Sequence, residues 1–191
     1  LDGGEGFDSA NFTAESFGIT ANLNTETASY TDEQGNLIVE VMRDIERIYG
    51  TLFDDWLIGN GENNILWGFD GDDILIGGAG DDGLNGGAGA DTFAFLSPNQ
   101  GLDTITDFNS AQGDIIQISA TGFGGGLTPG VLDSDQFIIG SAAVDGGDRI
   151  IYNDATGALF FDPDGTGVLG QVQFARLSGN PVLTSNDIVV V

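Results

Sequence analysis

Glycine opens every ninth position between Gly50 and Gly86. Written in nines, the segment reads GTLFDDWLI, GNGENNILW, GFDGDDILI, GGAGDDGLN and GGAGADTFA, ending at Ala94. The sixth place holds Asp55, Asn64, Asp73, Asp82 and Asp91, and the eighth holds Leu57, Leu66, Leu75, Leu84 and Phe93. A fixed short period of this kind marks stacked units, each too small to bury its own apolar residue except against its neighbours. The first six residues can turn tightly on glycine, and the last three can form a short strand with the eighth residue inward. Asn60-Gly61, Asp70-Gly71, Asp82-Gly83 and Asn85-Gly86 would also suit hairpins between antiparallel strands. Hairpins, however, give no reason for an oxygen-bearing side chain to recur two places before each large apolar residue.

The donors in this pattern are carboxylates, an amide and the carbonyls of glycine-rich turns, a set that suits calcium. Zinc and copper favour His or Cys, and the chain has neither. Composition points the same way: 23 of the 30 acidic residues are Asp, the residue of turns and hard-cation ligation, against only four Arg and no Lys. A formal charge of -26 strains a compact state unless cations are recruited, and it makes nucleic acid and anionic membrane poor partners.

The segment resembles the RTX (repeats-in-toxin) family, whose nonapeptide is GGxGxDxUx with U a large apolar residue; the match is close from Gly77 to Ala94 and looser before it. The resemblance implies an all-β fold, a parallel β-roll in which two repeats make one coil, with coils roughly 4.8 Å apart. It also implies about three or more calcium ions between stacked turns, each held by two sixth-place side chains and by carbonyls of the first four places. That pairs Asp55 with Asp73 and Asp73 with Asp91 on one flank, and Asn64 with Asp82 on the other. Asn64 departs from the family's Asp and marks the weaker site, while Asp103, just past the array, is placed to pair with Asp82. The carbonyl donors so implied are those of Gly50, Leu52, Gly59, Gly61, Gly68, Phe69, Asp70, Gly71, Gly78, Gly80, Gly87 and Gly89. The fifth-place acids Asp54, Asp72 and Asp81 are expected to face solvent.

Three regions are expected. Residues 1–49 comprise a truncated repeat (Gly3 to Asn11) and an inserted strand pair, Ile19 to Tyr30 and Leu37 to Met42, turning at Asp32 to Asn36. Residues 50–94 form the calcium-binding roll. Residues 95–191 read as a β-rich cap, with strands at Thr104 to Phe108, Ile115 to Ile118, Gln136 to Ile139, Arg149 to Asn153, Ala158 to Asp162 and Gln171 to Ala175. The stretch Asp103 to Phe108 with Gly113 to Ile116 resembles the region that closes the roll in serralysin-type proteases, and Asn186 to Val191 resembles a type I secretion signal. Asp162-Pro163-Asp164-Gly165 lacks the third carboxylate and distal Glu of an EF-hand and reads as a tight turn.

Function classes narrow accordingly. Without His or Cys there is no triad base, thiol nucleophile or zinc-protease motif, and nothing marks out a catalytic carboxylate pair. The expectation is a non-enzymatic calcium-binding module of a larger secreted protein, extracellular or at the cell surface, exported by a type I ABC apparatus and folding on calcium outside. The alternative is an adhesin-like or polysaccharide-binding module, for which a groove of aromatics would speak. No apolar run reaches the length of a membrane span, and Leu1 to Gly4 has no signal-peptide character.

Overall fold

A computed structural model describes residues 1–191. The first twelve strands are β1 (Ser9–Asn11), β2 (Thr20–Asn22), β3 (Thr27–Thr31), β4 (Leu37–Val41), β5 (Arg47–Tyr49), β6 (Trp56–Ile58), β7 (Ile65–Asp70), β8 (Ile74–Ile76), β9 (Gly83–Ala88), β10 (Thr92–Phe95), β11 (Asp103–Ile105) and β12 (Ile115–Ile118). A one-turn helix α1 (Ala120–Phe123) follows, then β13 (Gly130–Val131), β14 (Phe137–Ile139), β15 (Ile150–Asn153), β16 (Ala158–Phe161), β17 (Val172–Leu177) and β18 (Ile188–Val190). They form two nine-stranded sheets, ordered β1-β5-β7-β9-β11-β17-β16-β15-β14 and β13-β18-β12-β10-β8-β6-β2-β3-β4.

Successive strands of the array alternate between the sheets, so the chain coils and every pairing within the array is parallel. That excludes hairpins there. The eighth-place residues stack in two columns between the sheets. Ala10, Ile48, Leu66, Leu84, Ile105 and Leu177 are in register down one sheet. Ala21, Leu57, Leu75, Phe93, Ile116 and Ile188 are in register down the other. All twelve are completely buried, the condition that makes each coil dependent on the next.

The parallel stack therefore runs through residues 49 and 95 without a break. The glycine phase ends because turns lengthen: the step from Asp82 to Asp103 is 21 residues and that from Asp91 to Asp114 is 23, against 18 within the array. Strand pairing needs only the register and tolerates the longer turn.

Flanking segments differ from the sequence reading in detail. The strand expected over Ile19 to Tyr30 is two antiparallel strands, β2 and β3. Asn22 breaks it, because its Oδ1 accepts the N–H groups of Asn24 and Thr25 and turns the backbone. The expected turn at Asp32 to Asn36 forms, with Asp32 Oδ1 accepting from Gln34 and Asn36. Expected strands at Thr104 to Phe108 and Gln171 to Ala175 lie instead at β11 and β17, whose bounds are set by pairing with each other. The turn at Asp154 to Gly157 joins β15 to β16 as expected. Beside the columns, Phe95 of β10, Phe123 of α1, Phe161 of β16 and Phe174 of β17 pack edge to face at 5.1–5.2 Å between centroids, extending the core between the two sheets.

Candidate metal centre

The sixth-place side chains lie at the mouths of the turns, where the chain crosses from one sheet to the other. Each repeats one contact: the backbone N–H of a sixth-place residue donates to Oδ1 of the corresponding residue one coil on. Asp55 donates to Asp73 at 2.8 Å, Asp73 to Asp91 at 3.0 Å and Asp91 to Asp114 at 3.1 Å on one flank. On the other, Asn64 donates to Asp82 at 2.7 Å and Asp82 to Asp103 at 3.2 Å. The sequence-derived pairs, Asp103 with Asp82 included, are thus neighbours in space.

These contacts satisfy one carboxylate oxygen and leave the other. Oδ2 of Asp73, Asp82 and Asp91 is buried without any hydrogen-bond partner. The first-place glycine shows where it sits: a Cβ at Gly68 would strike both Asp73 Oδ2 and the Gly86 carbonyl oxygen, and a Cβ at Gly77 or Gly86 would strike Asp82 or Asp91. Glycine is therefore required at the first place for room. A partnerless carboxylate oxygen and a carbonyl oxygen facing one point could serve as a cradle for a cation. No three His, Cys, Asp or Glu side chains converge, so a cation held here would have one or two carboxylates and would draw its other oxygens from backbone carbonyls such as that of Gly86.

Electrostatics agree. Burial pushes the carboxyls of Asp73 and Asp103 up to about 8 and those of Asp82 and Asp91 up to about 6, and it raises Asp114 and Asp107 as well. Facing carboxylates add to the burial: Asp55 and Asp91 act on Asp73, and Asp82 acts on Asp103. A divalent ion removes that penalty by neutralising the carboxylates in place.

The five turns are not equivalent. Those opening at Gly68, Gly77 and Gly86 take left-handed φ at their second and fourth places: Phe69 and Gly71 (86° and 122°), Gly78 and Gly80 (101° and 111°), Gly87 and Gly89 (105° and 144°). Phe69, with Asp70, is held there by pairing with Gly87 and Ala88. The turns at Gly50 and Gly59, with Leu52 and Gly61, have no left-handed residue. In the first of them Asp55 is already saturated. Its Oδ2 accepts from Thr51 N–H at 2.6 Å, and its Oδ1 accepts from the Thr51 hydroxyl at 3.0 Å and Ile19 N–H at 2.7 Å. In the second, Asn64 Oδ1 accepts from Asn60 N–H at 2.8 Å, and its Nδ2 is a buried donor without a partner. The left-handed cradle thus recurs in the three later turns.

Several residues escaped the sequence reading. Asp114 extends one ladder and Asp107 accepts from the N–H groups of Gly86 and Gly87. The signal for Asp114 was available as an Asp-x-Ile triplet, Asp114-Ile115-Ile116, matching Asp103-Thr104-Ile105. Thr51 was invisible, because its role depends on facing Asp55 across the turn. The fifth-place Asp54, Asp72 and Asp81 are exposed as expected, and each also accepts a backbone N–H of the next coil, from Asp72, Ala90 and Leu102.

The profile of the RTX calcium-binding nonapeptide repeat matches in four copies, over residues 49–84 and 67–94. Among solved structures, a subunit of the mannuronan C5-epimerase of Azotobacter vinelandii is similar at 28% identity, over 72% of this chain and 78% of that one, with a TM-score of 0.40. The extracellular lipase LipA of Serratia marcescens is similar at 17% identity over 100% of this chain, with a TM-score of 0.36. The chain spans 34% of that lipase's length. No curated protein sequence matches significantly. Residues 49–94 match the RTX calcium-binding nonapeptide repeat, and they lie within a longer β-roll of two sheets.

Proposed function

We propose that the chain is a non-catalytic module of a larger secreted protein that folds when calcium enters its turns. The observation that carries this reading is the row of buried, partnerless carboxylate oxygens at Asp73, Asp82 and Asp91, with the Gly86 carbonyl facing Asp73. Asp73 and Asp91, with Asp114 beyond, would hold ions on one flank, and Asp82 and Asp103 on the other. Carbonyls of Gly68 to Gly71, Gly78, Gly80, Gly87 and Gly89 would complete the shells. Asn64 would make a weaker site, and Asp55, already saturated by Thr51, would contribute least. Calcium supplies the charge that lets the stacked Asp turns approach one another.

Affinity in the range of extracellular modules, on the order of 10⁻⁴ to 10⁻³ M, leaves the chain unfolded in a calcium-poor cytosol and lets it fold after type I export. In that scheme residues 1–49 and 95–191 close the two ends of the roll, the latter through β17 and β18. Circular dichroism during a calcium titration, with magnesium as control, tests the proposal. Calcium should induce the β spectrum, and magnesium at equal concentration should not, since it demands a small octahedral shell. A full β spectrum in excess chelator refutes the folding switch.

A further inference from the structure

The outer face of the first sheet carries a recess that the calcium chemistry does not use. Arg47, Ile65, Gly83 and Thr104 follow one another across β5, β7, β9 and β11, and Tyr49, Trp67 and Asn85 form the next row. Gly83 interrupts the first row, at the repeat place where other units carry Trp56, Ile65, Ile74 or Thr92. The missing side chain leaves a cavity of about 310 Å³ lined by Arg47, Tyr49, Ile65, Trp67, Gly83 and Thr106.

Its walls are aromatic and fixed. Tyr49, Trp67 and Phe69 pack on one another with centroids 5.5–6.1 Å apart, yet Trp67 remains 40% exposed. The Arg47 guanidinium lies 4.9 Å from the Phe7 ring centroid and 5.8 Å from that of Tyr49. In a chain of net charge -26 it has no carboxylate partner, the one ion pair being Arg43 with Glu26. Asn85 Nδ2 donates to Thr106 Oγ1 at 2.8 Å beside the cavity, which gives the rim hydroxyl and amide groups.

These features select an occupant. The volume is at the small end of ligand sites, roughly 300–1,000 Å³, and a half-exposed indole one row from a bare backbone position can meet the C–H face of a saturated ring. Arg47, Asn85 and Thr106 can exchange hydrogen bonds with ring hydroxyls. A protein partner would ordinarily bury roughly 800 Å² of this surface, whereas the recess encloses about 310 Å³ and is rimmed by polar groups. An anionic chain would meet the repulsion of the whole molecule before it reached one arginine. We propose that this recess binds a neutral hexopyranose unit of a polysaccharide, stacked on Trp67 over Gly83.

The test uses the full chain in saturating calcium, with folding followed separately by circular dichroism so that loss of the roll and loss of the recess are distinguishable. With Trp56→Phe, Trp67 is the sole tryptophan and its fluorescence reports the recess. Probes are neutral tetrasaccharides of glucose, mannose and galactose, and an acidic tetrasaccharide of galacturonate. At least one neutral probe should give a saturable change. Trp67→Ala, followed by calorimetry, should weaken its binding at least about tenfold. Gly83→Val should abolish binding while leaving the roll intact, because a Cβ at Gly83 meets nothing nearer than Ile65 Cγ1 at 3.7 Å. The proposal is overturned if no neutral probe binds the folded chain, if the galacturonate probe binds more tightly than every neutral one, or if Gly83→Val binds normally. It is likewise overturned if sedimentation shows self-association that Trp67→Ala removes while no sugar is retained, which would assign the recess to a second copy.

Discussion

Asp73→Asn should move the stability of this protein in opposite directions with and without calcium. Asp73 is fully buried, and its carboxyl is raised from 3.8 to about 8. A carboxyl whose pKa is raised by folding destabilises the folded state wherever it is ionised in the unfolded chain and must be buried or protonated in the folded one. At pH 7.5 that shift corresponds to a penalty on the order of 4–5 kcal/mol for the ion-free roll. Asparagine keeps an Oδ1 to accept the Asp55 N–H, carries no charge, and places an amide donor near the Gly86 carbonyl. The ion-free variant should therefore be more folded than the parent. With calcium the order reverses. One site at 10 mM ion and a dissociation constant of 10⁻⁴ to 10⁻³ M contributes about 1.4–2.7 kcal/mol, so losing the site between Asp73 and Asp91 removes about that much calcium-induced stabilisation. Urea denaturation followed by circular dichroism, in chelator and in 10 mM calcium, measures both effects. Asp72→Asn, on the exposed neighbouring residue, is the control and should lose no calcium increment. If Asp73→Asn is less folded than the parent in chelator, or keeps the full calcium increment, the reasoning fails.

Thr51→Val should destabilise the roll by about 1–3 kcal/mol with unchanged calcium stoichiometry by calorimetry, since it strips a hydroxyl donor from Asp55 without touching the cradles at Asp73, Asp82 and Asp91. Gly68→Ala should nearly abolish the calcium response in the circular dichroism titration, because its Cβ occupies the point where Asp73 Oδ2 and the Gly86 carbonyl meet; a normal response would show that no ion sits there. Acid should act in two senses, both read by circular dichroism between pH 8 and 4. Asp73 and Asp103 (about 8) and Asp82 and Asp91 (about 6) take up protons on folding, so the ion-free chain should gain structure as pH falls from 8 towards 4. Over the same interval protons compete with calcium for these oxygens, and the calcium midpoint should rise. Loss of structure on acidification without calcium would contradict the burial of these groups.

The sequence by itself determined the repeating unit. A nine-residue phase with Asp or Asn at the sixth place and a large apolar residue at the eighth was legible from Gly50 to Ala94, and the parallel coil of two repeats and the pairing of Asp55, Asp73 and Asp91 were what its resemblance to the RTX nonapeptide implied; the parallel strand pairing excluded the hairpins that the same turns would have suited. Tertiary structure decided where the stack stops and which of its turns are alike. Ile105 and Ile116 join the columns through longer turns, and Leu177 and Ile188 join them after long excursions, because register is a property of paired backbones and leaves no periodic trace in the chain. The saturation of Asp55 was hidden for a related reason. Thr51 is one hydroxyl among many in the sequence, and only the folded turn, with Ile19 brought in from an earlier coil, shows its donors filling that carboxylate. The recess beside Trp67 likewise required Tyr49, Gly83 and Thr106, from three different coils, to be set on one face.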